Sequence, residues 1–177
     1  FMGFQKKGLI FMINYSNHTA IVYEHQLVID ESHIVKVSQK RGFKVVNYFP
    51  TFDEIILFLN KHLLMNKLTS EHLFVVGFAG LTLTGVLEIG RGSEDKCSYS
   101  DKDIIRYLLL TGSGSFIMAH NHPIADCSPS LTDIINHEKI KNLAQMFDMN
   151  FINEFIISGN EYYDMINNCR RFIKEVI

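Results

Sequence analysis

Two histidines and an aspartate lie close together in FIMAHNHPIADCSPSLTDI, which spans residues 116–134. His120 and His122 end an apolar run, and side chains two positions apart on a strand point to the same face. Pro123 cannot continue a central strand, so the chain must leave the sheet there. If the following loop folds back onto the strand, the carboxylate of Asp133 approaches both imidazoles.

Two imidazoles and one carboxylate have the composition of a catalytic zinc site. Three protein ligands leave the fourth position of a tetrahedral zinc ion for water, whereas structural zinc sites are closed by four. Zinc lowers the pKa of its bound water to about 7 and so supplies a hydroxide at neutral pH. The same residues also fit an ordinary strand, turn and helix, because Asp133 suits a helix start and Ser130 suits an N-cap. Spacing alone leaves both interpretations open.

The surrounding sequence predicts a β-rich lead followed by alternating helices and strands. Short β-branched or aromatic runs predict strands before residue 49: LIFMIN, AIVYE, LVI, HIVKV and KVVNYF. Capping residues and apolar periodicity predict helices in PTFDEIILFLNKHLL, SYSDKDIIRYLLLTG, SPSLTDIINHEKIKNLAQMF and YYDMINNCRRFIKEV. The intervening strands are HLFVVGFA, TGVLEIG, SFIMAH and NFINEFIISG, of which the nearly all-apolar SFIMAH is expected to be central.

This order of elements predicts an α/β fold in which helices pack against a mixed sheet. The 177 residues, of which 47% are hydrophobic, suffice for one sizeable core. We expect a β-rich lead segment over residues 1–48 and the main domain over residues 49–177.

Composition also narrows the class of protein. The net charge of −2 lacks the basic excess of a typical nucleic-acid binder. No apolar run reaches the ~18 residues of a membrane span, so no membrane association is expected. The three cysteines are widely spaced and odd in number, which argues against a disulfide framework. A cytoplasmic, reduced protein is therefore the expectation.

The motif itself resembles a known family signature. His120-Asn121-His122-Pro123, followed by Ser130 and Asp133, is similar to the signature of the JAB/MPN+ metalloproteases, also called JAMM, and specifically to their RadC branch. NEFIISGNEYYDM resembles the strand that follows in RadC-like proteins, and the resemblance covers roughly residues 49–166. It implies a JAB/MPN architecture, which is cytidine-deaminase-like.

The resemblance also implies roles for individual residues. The zinc ligands would be His120, His122 and Asp133. Ser130 would donate a hydrogen bond to the developing oxyanion. A glutamate ahead of the histidines would act as general acid and base. Glu71, in TSEHLFVVGF, is the favoured candidate, and Glu88, in GVLEIGRG, is the alternative.

Some positions depart from the RadC pattern. Ile124-Ala125 stands where Ser-Gly is usual, and because glycine permits unusual backbone angles, another loop path and an altered substrate side are expected. Glu154 replaces the histidine of a later Asp-His strand motif. The chain shows no helix-hairpin-helix module of the kind that many RadC proteins carry for DNA. That weakens a role on DNA.

Three further residues near the motif are expected to have structural roles. Cys127 is a loop thiol without a partner cysteine nearby, so we interpret it as a bystander. His137 lies four residues after Asp133, on the same helix face; of the two alternatives, support of a metal ligand or a packed or solvated side chain, we favour the second. Asp126 is expected to form a turn.

We therefore expect a zinc-dependent hydrolase of the JAMM type acting on a peptide or isopeptide bond of a peptide or protein substrate. One alternative is a DNA-associated RadC-type protein of repair or mobile-element biology, which rests on family analogy alone. The other is a non-enzymatic interaction module, in which the apolar lead segment mediates self-association.

Overall fold

The computed structural model describes residues 20–45, 51–93, 97–124 and 126–173. In these ranges nine strands form one sheet, which three α-helices flank. The strands are β1 (Ala20–Ile29), β2 (Val35–Val45), β3 (His72–Ala79), β4 (Thr82–Gly92), β5 (Cys97–Tyr99), β6 (Ser115–Asn121), β7 (Asn150–Ser158), β8 (Glu161–Asp164) and β9 (Cys169–Phe172). The helices are α1 (Phe52–Leu63), α2 (Asp101–Leu110) and α3 (Leu131–Met146), and a short 3-10 turn covers Met65–Lys67.

The sheet is mixed, with the order β2-β1-β4-β3-β6-β7-β8-β9, and β5 pairs with β4. Strands β1 and β4 run parallel, as do β6 and β7, whereas the other neighbouring pairs are antiparallel. A mixed sheet flanked by helices confirms the predicted α/β class and the JAB-type architecture. The expectation for SFIMAH is also confirmed, since β6 is central and buried over nearly its whole length.

Alternating side chains of β6 serve two separate cores. Ile117 and Ala119 lie in the core beneath α1, where Ile56 and Leu59 are fully buried. The core on the other face contains these residues of β6, α2 and α3: Phe116, Met118, Ile104, Leu108, Ile140 and Ala144. This period of two places the even-numbered side chains of β6 on the face that α3 covers.

The N-terminal strands are fewer and longer than the sequence suggests. AIVYE and LVI join in β1, while parts of HIVKV and KVVNYF join in β2. LIFMIN lies outside the described residues. Strand β1 pairs in parallel with β4, so residues 20–45 extend the same sheet. The division near residue 48 remains a prediction.

The helix predicted over YYDMINNCRRFIKEV is wrong, because its described residues contribute the β8–β9 hairpin instead. Burial alternates along β8, where Tyr162 and Asp164 are buried. The Asp164 carboxylate accepts hydrogen bonds from the backbone and side-chain N–H groups of Asn167. Asn168 adopts a left-handed φ of 51° and so helps to close the turn. These local bonds outweigh the helical periodicity.

The other helices begin and end close to the predicted residues. Thr51 and Glu54 form the predicted capping box of α1, and Gly112 follows α2 with a left-handed φ of 66°. The start of α2 differs in part, since Ser98 and Tyr99 of the predicted SYS belong to β5, while Ser100 is the N-cap and the helix begins at Asp101. Among the described residues, no helix has the length and apolar character needed to span a membrane.

Candidate metal centre

His120 lies near the end of β6, where strands flank it on both sides, and His122 follows directly after the strand. His120 is paired with Leu73 of β3 and with Ile156 of β7. The backbone N–H of His122 donates to the carbonyl of Ile157 at 2.9 Å. Both side chains are buried. Strand pairing thus fixes the backbone of His120, and the hydrogen bond to Ile157 holds that of His122.

Helix α3 supplies the third side chain through its N-terminal cap. Ser130 is the N-cap and Asp133 the third helical residue, and they form a capping box as the sequence suggests. The Ser130 hydroxyl accepts the Asp133 backbone N–H at 3.2 Å and donates to its Oδ2 at 2.7 Å. The same carboxylate faces the histidines, with Oδ1 3.4 Å from His120 Nε2 and Oδ2 3.5 Å from His122 Nε2. Asp133 therefore takes part in the helix cap and at the same time lies beside both histidines.

The spacing of these donor atoms fits a tetrahedral ion. His120 Nε2 and His122 Nε2 are 3.3 Å apart, and the two histidine–carboxylate distances are similar. Ligands about 2.0–2.2 Å from a tetrahedral zinc ion lie roughly 3.3–3.6 Å from one another. Within the described part of the chain, His120, His122 and Asp133 form a group that could hold a metal ion.

In both histidines, the hydrogen bond made by Nδ1 determines whether Nε2 has a free lone pair. His122 Nδ1 lies 2.9 Å from the carbonyl oxygen of Asp126, which can only accept, so this nitrogen carries the hydrogen. His120 Nδ1 similarly donates to Glu154 Oε1 at 3.2 Å. In the neutral rings, both Nε2 atoms therefore present lone pairs to the same point as the Asp133 carboxylate. Such a convergence of lone pairs and negative charge attracts a cation.

Electrostatics agree with this donor arrangement. Burial lowers the pKa of His120, but hydrogen bonds with Asp133 and Glu154 outweigh burial and raise that pKa to about 10. Burial raises the pKa of the Asp133 carboxyl, but hydrogen bonds from His120 and His122 hold it well below its usual range. The carboxylates therefore stabilise positive charge at this point, whether a proton or a metal ion carries it.

Glu154 and His137 complete the surroundings of His120, although neither is a predicted site residue. Glu154 is buried on β7 and accepts from His120 with one oxygen and from His137 Nδ1 with the other, at 3.0 Å. His137 is indeed packed, as expected, but against a carboxylate. A single glutamate inside the apolar run NFINEFIIS is the sequence signal for this role, since an unpaired carboxylate is rarely buried.

The structure places Glu71, rather than Glu88, beside the histidines. Glu71 Oε1 lies 4.0 Å from His122 Nε2, and 13% of the Glu71 side chain is exposed. The Glu88 carboxylate instead contacts His72 Nδ1 at 2.6 Å and the Arg91 guanidinium at 3.0 Å. Burial raises the pKa of Glu88, but hydrogen bonds from Arg91 and His72 outweigh it and lower that pKa. The geometry thus favours Glu71 for a role at the centre.

The loop after His122 is fastened to the C-terminal hairpin. The Asp126 side chain accepts the backbone N–H of Ser128 at 2.8 Å, the turn that the sequence suggests. Arg170 on β9 donates to Asp126 Oδ2 at 2.8 Å and to the Ser128 hydroxyl at 2.9 Å. Because the Asp126 carbonyl orients His122, the contacts of Arg170 with this loop also help to hold His122 in place.

The remaining loop residues have different environments. Cys127 is fully buried, and burial raises the pKa of its thiol, which agrees with its interpretation as a bystander. Ile124 is 73% exposed, so the departure from Ser-Gly puts an apolar side chain in solvent two residues after His122. Ala125 lies outside the described residues.

Comparison with known proteins finds one matching family. Residues 51–170 match the family profile described as the RadC-like JAB domain. The chain is 31% identical over 78 residues to a UPF0758 protein of Psychrobacter arcticus, covering 44% of this chain and 34% of that protein. It is 27% identical over 84 residues to a UPF0758 protein of Cupriavidus taiwanensis, covering 48% of this chain and 37% of that protein. The match spans about a third of the length of these curated relatives, whose names state no activity.

Proposed function

Because the chain belongs to the RadC-like JAB domain family, we propose that it is a zinc-dependent hydrolase that cleaves peptide or isopeptide bonds. One observation carries the proposal: His120, His122 and Asp133 converge at tetrahedral spacing, with Glu71 4.0 Å from one of them. Imidazole and carboxylate donors suit zinc among the biological metals.

In this proposal His120, His122 and Asp133 hold the ion. Bound zinc supplies Lewis-acid chemistry, which polarises a carbonyl and lowers the pKa of a coordinated water to about 7. Glu154 and the Asp126 carbonyl keep the two imidazoles in the tautomer that presents Nε2.

Glu71 would act as the general base. It accepts a proton from the attacking water while the new carbon–oxygen bond forms, and it returns that proton to the leaving nitrogen as the carbon–nitrogen bond breaks. Its partly exposed position beside His122 gives it access to both water and substrate.

Ser130 would stabilise the negative charge that develops on the carbonyl oxygen. Its hydroxyl hydrogen points to Asp133 Oδ2 in this structure. Rotation about the Cβ–Oγ bond redirects that hydrogen to a substrate oxygen without moving the helix. A peptide or protein is accordingly the proposed partner.

Metal content and peptide cleavage test the proposal together. The wild type should bind one zinc ion per chain by elemental analysis, and His122→Ala should lose it, whereas His62→Ala on α1 should retain it. Zinc-loaded wild type should cleave members of a diverse peptide library, and Glu71→Gln should bind zinc without cleaving. A wild type that cannot be loaded with zinc contradicts the proposal.

A further inference from the structure

The backbone around Glu71 is held from the β4 side by two hydrogen bonds. The Glu71 N–H donates to the carbonyl of Ser93 at 2.8 Å, and the Gly92 N–H donates to the carbonyl of Glu71 at 2.9 Å. These bonds continue the antiparallel pairing of β3 with β4 by one residue. They engage the N–H and C=O groups of Glu71 itself. The C=O of Ser70 and the N–H of His72 point away from β4.

On that other side, the partner strand departs. Pairing of β3 with β6 ends at Leu73 and His120, after which β6 follows β7 alone, as the bond from His122 to Ile157 shows. The peptide groups of residues 70–72 that face β6 therefore have no backbone ladder to join. Unpaired backbone groups at a buried strand end are costly.

The side chain of Asn121 takes the place of the missing backbone. Its Oδ1 accepts the His72 N–H at 2.8 Å, and its Nδ2 donates to the Ser70 carbonyl at 3.0 Å. A primary amide offers the same donor and acceptor as a peptide group, so it extends the ladder past the point where the strands separate. Asn121 is 2% exposed, and hydrogen bonds sheltered from water are stronger than exposed ones.

We propose that Asn121 is the positioning residue for Glu71. It clamps the residues on both sides of Glu71, and its own sequence neighbours are the metal donors His120 and His122. A single residue thus sets the position of the general base relative to the ion. The inference rests on the proposed function and adds to it a residue that touches neither metal nor substrate.

His72 supports the same segment through its ring. Its Nδ1 bonds Glu88 at 2.6 Å and its Nε2 contacts the Ser70 hydroxyl at 3.0 Å. This places Glu88, the rival candidate for the general base, in the support of residues 70–72. Asn121 differs from His72 in that it belongs to β6, so its two hydrogen bonds connect this segment to the strand that carries His120.

Two substitutions at Asn121 distinguish the loss of its hydrogen bonds from a general loss of packing. Asn121→Leu keeps the volume and removes both hydrogen bonds, whereas Asn121→Asp keeps the acceptor for His72 and loses the donor to Ser70. Asn60→Leu is the matched control, because Asn60 is a buried asparagine on α1 whose amide has no hydrogen-bond partner in the described structure.

Backbone hydrogen exchange gives the first readout. The His72 amide should exchange about tenfold faster in Asn121→Leu than in wild type, the factor expected for one lost hydrogen bond. Exchange at His72 should be unchanged in Asn60→Leu. If Asn121→Leu does not fold, the Asn121→Asp variant serves instead, and its backbone amides at Ser70 and Glu71 should exchange faster than those of wild type. Unchanged exchange in both Asn121 variants overturns the proposal.

The absorption spectrum of bound Co²⁺, a tetrahedral substitute for zinc, gives the second readout. Asn121→Leu and Glu71→Gln should each alter the spectrum while Co²⁺ affinity remains that of wild type. The double variant should match Glu71→Gln alone, because a residue that acts through Glu71 has no effect once Glu71 is removed. Additive changes, or a wild-type spectrum in Asn121→Leu, overturn the positioning role alone. A wild type that binds no Co²⁺ overturns the proposed function as well.

Discussion

Substitution of Glu154 by glutamine tests the chain of contacts behind His120. The carboxylate is buried and accepts one hydrogen bond from His120 and one from His137. Glutamine has a single acceptor oxygen, and its amide N–H₂ group would face the N–H of the other imidazole. One hydrogen bond is therefore lost, and the remaining one changes from charge-assisted to neutral.

The expected magnitude follows from these two changes. Hydrogen bonds to charged groups contribute about 1.5–3 kcal/mol, against about 0.5–1.5 kcal/mol for neutral ones. If His120 keeps the remaining bond, the difference of about 1–1.5 kcal/mol weakens zinc binding about tenfold. If His120 loses its partner, the loss approaches the hundredfold known for orienting groups behind metal ligands. We therefore expect zinc affinity to fall about tenfold to hundredfold.

Competition between the protein and a chromophoric chelator, at fixed pH and ionic strength, measures this affinity. Glu138→Gln is the matched control, since it makes the same chemical change on α3 at a side chain that is 56% exposed. Equal zinc affinities for Glu154→Gln and Glu138→Gln would refute the reasoning. That result would mean that His120 needs no partner to present Nε2.

Two further predictions concern stability. Burial raises the pKa of Asp164, but hydrogen bonds from Asn153 and Asn167 hold it below its usual value. Its stabilising contribution is therefore present above about pH 4 and lost as the pH falls through the folded-state pKa. The urea midpoints of wild type and Asp164→Asn should accordingly converge in acid. A difference between the two midpoints that stays constant with pH would contradict this. Gly85→Ala should lower the free energy of unfolding by about 1–3 kcal/mol, measured by urea denaturation. Gly85 has a φ of 152°, and the Cβ of an alanine at this position would lie 2.3 Å from the buried His25 ring. An unchanged urea midpoint would contradict this contact.

Features with a local cause were predictable from the sequence. The capping box of Ser130 and Asp133 depends on residues three apart, and the structure contains it. The common face of His120 and His122 follows from strand alternation, and their Nε2 atoms do meet. The family resemblance added Glu71, which no local pattern distinguishes from Glu88.

Features that depend on distant contacts were not predictable. Beyond the local bonds of its turn, the β8–β9 hairpin is held by the pairing of β8 with β7 and by a hydrogen bond from Asn153 of that strand to Asp164, which a locally helical pattern does not reveal. In the sequence, Glu154 is only a departure from a motif, because its contacts with His120 and His137 span 34 and 17 residues. Pairings of this kind become visible only when the strands are assembled.

The candidate metal donors stand on or directly beside regular elements, and the described residues of the loop between them contribute no side chain to the group. His120 lies on β6 and His122 directly after it, Asp133 belongs to α3, and the connecting loop contacts His122 through the backbone carbonyl of Asp126. Exposed loop residues such as Ile124 can therefore vary without removing a donor side chain. If the chain is the hydrolase that we propose, exposed positions such as Ile124 are where substrate preference can change while Asp126 continues to hold His122 in place.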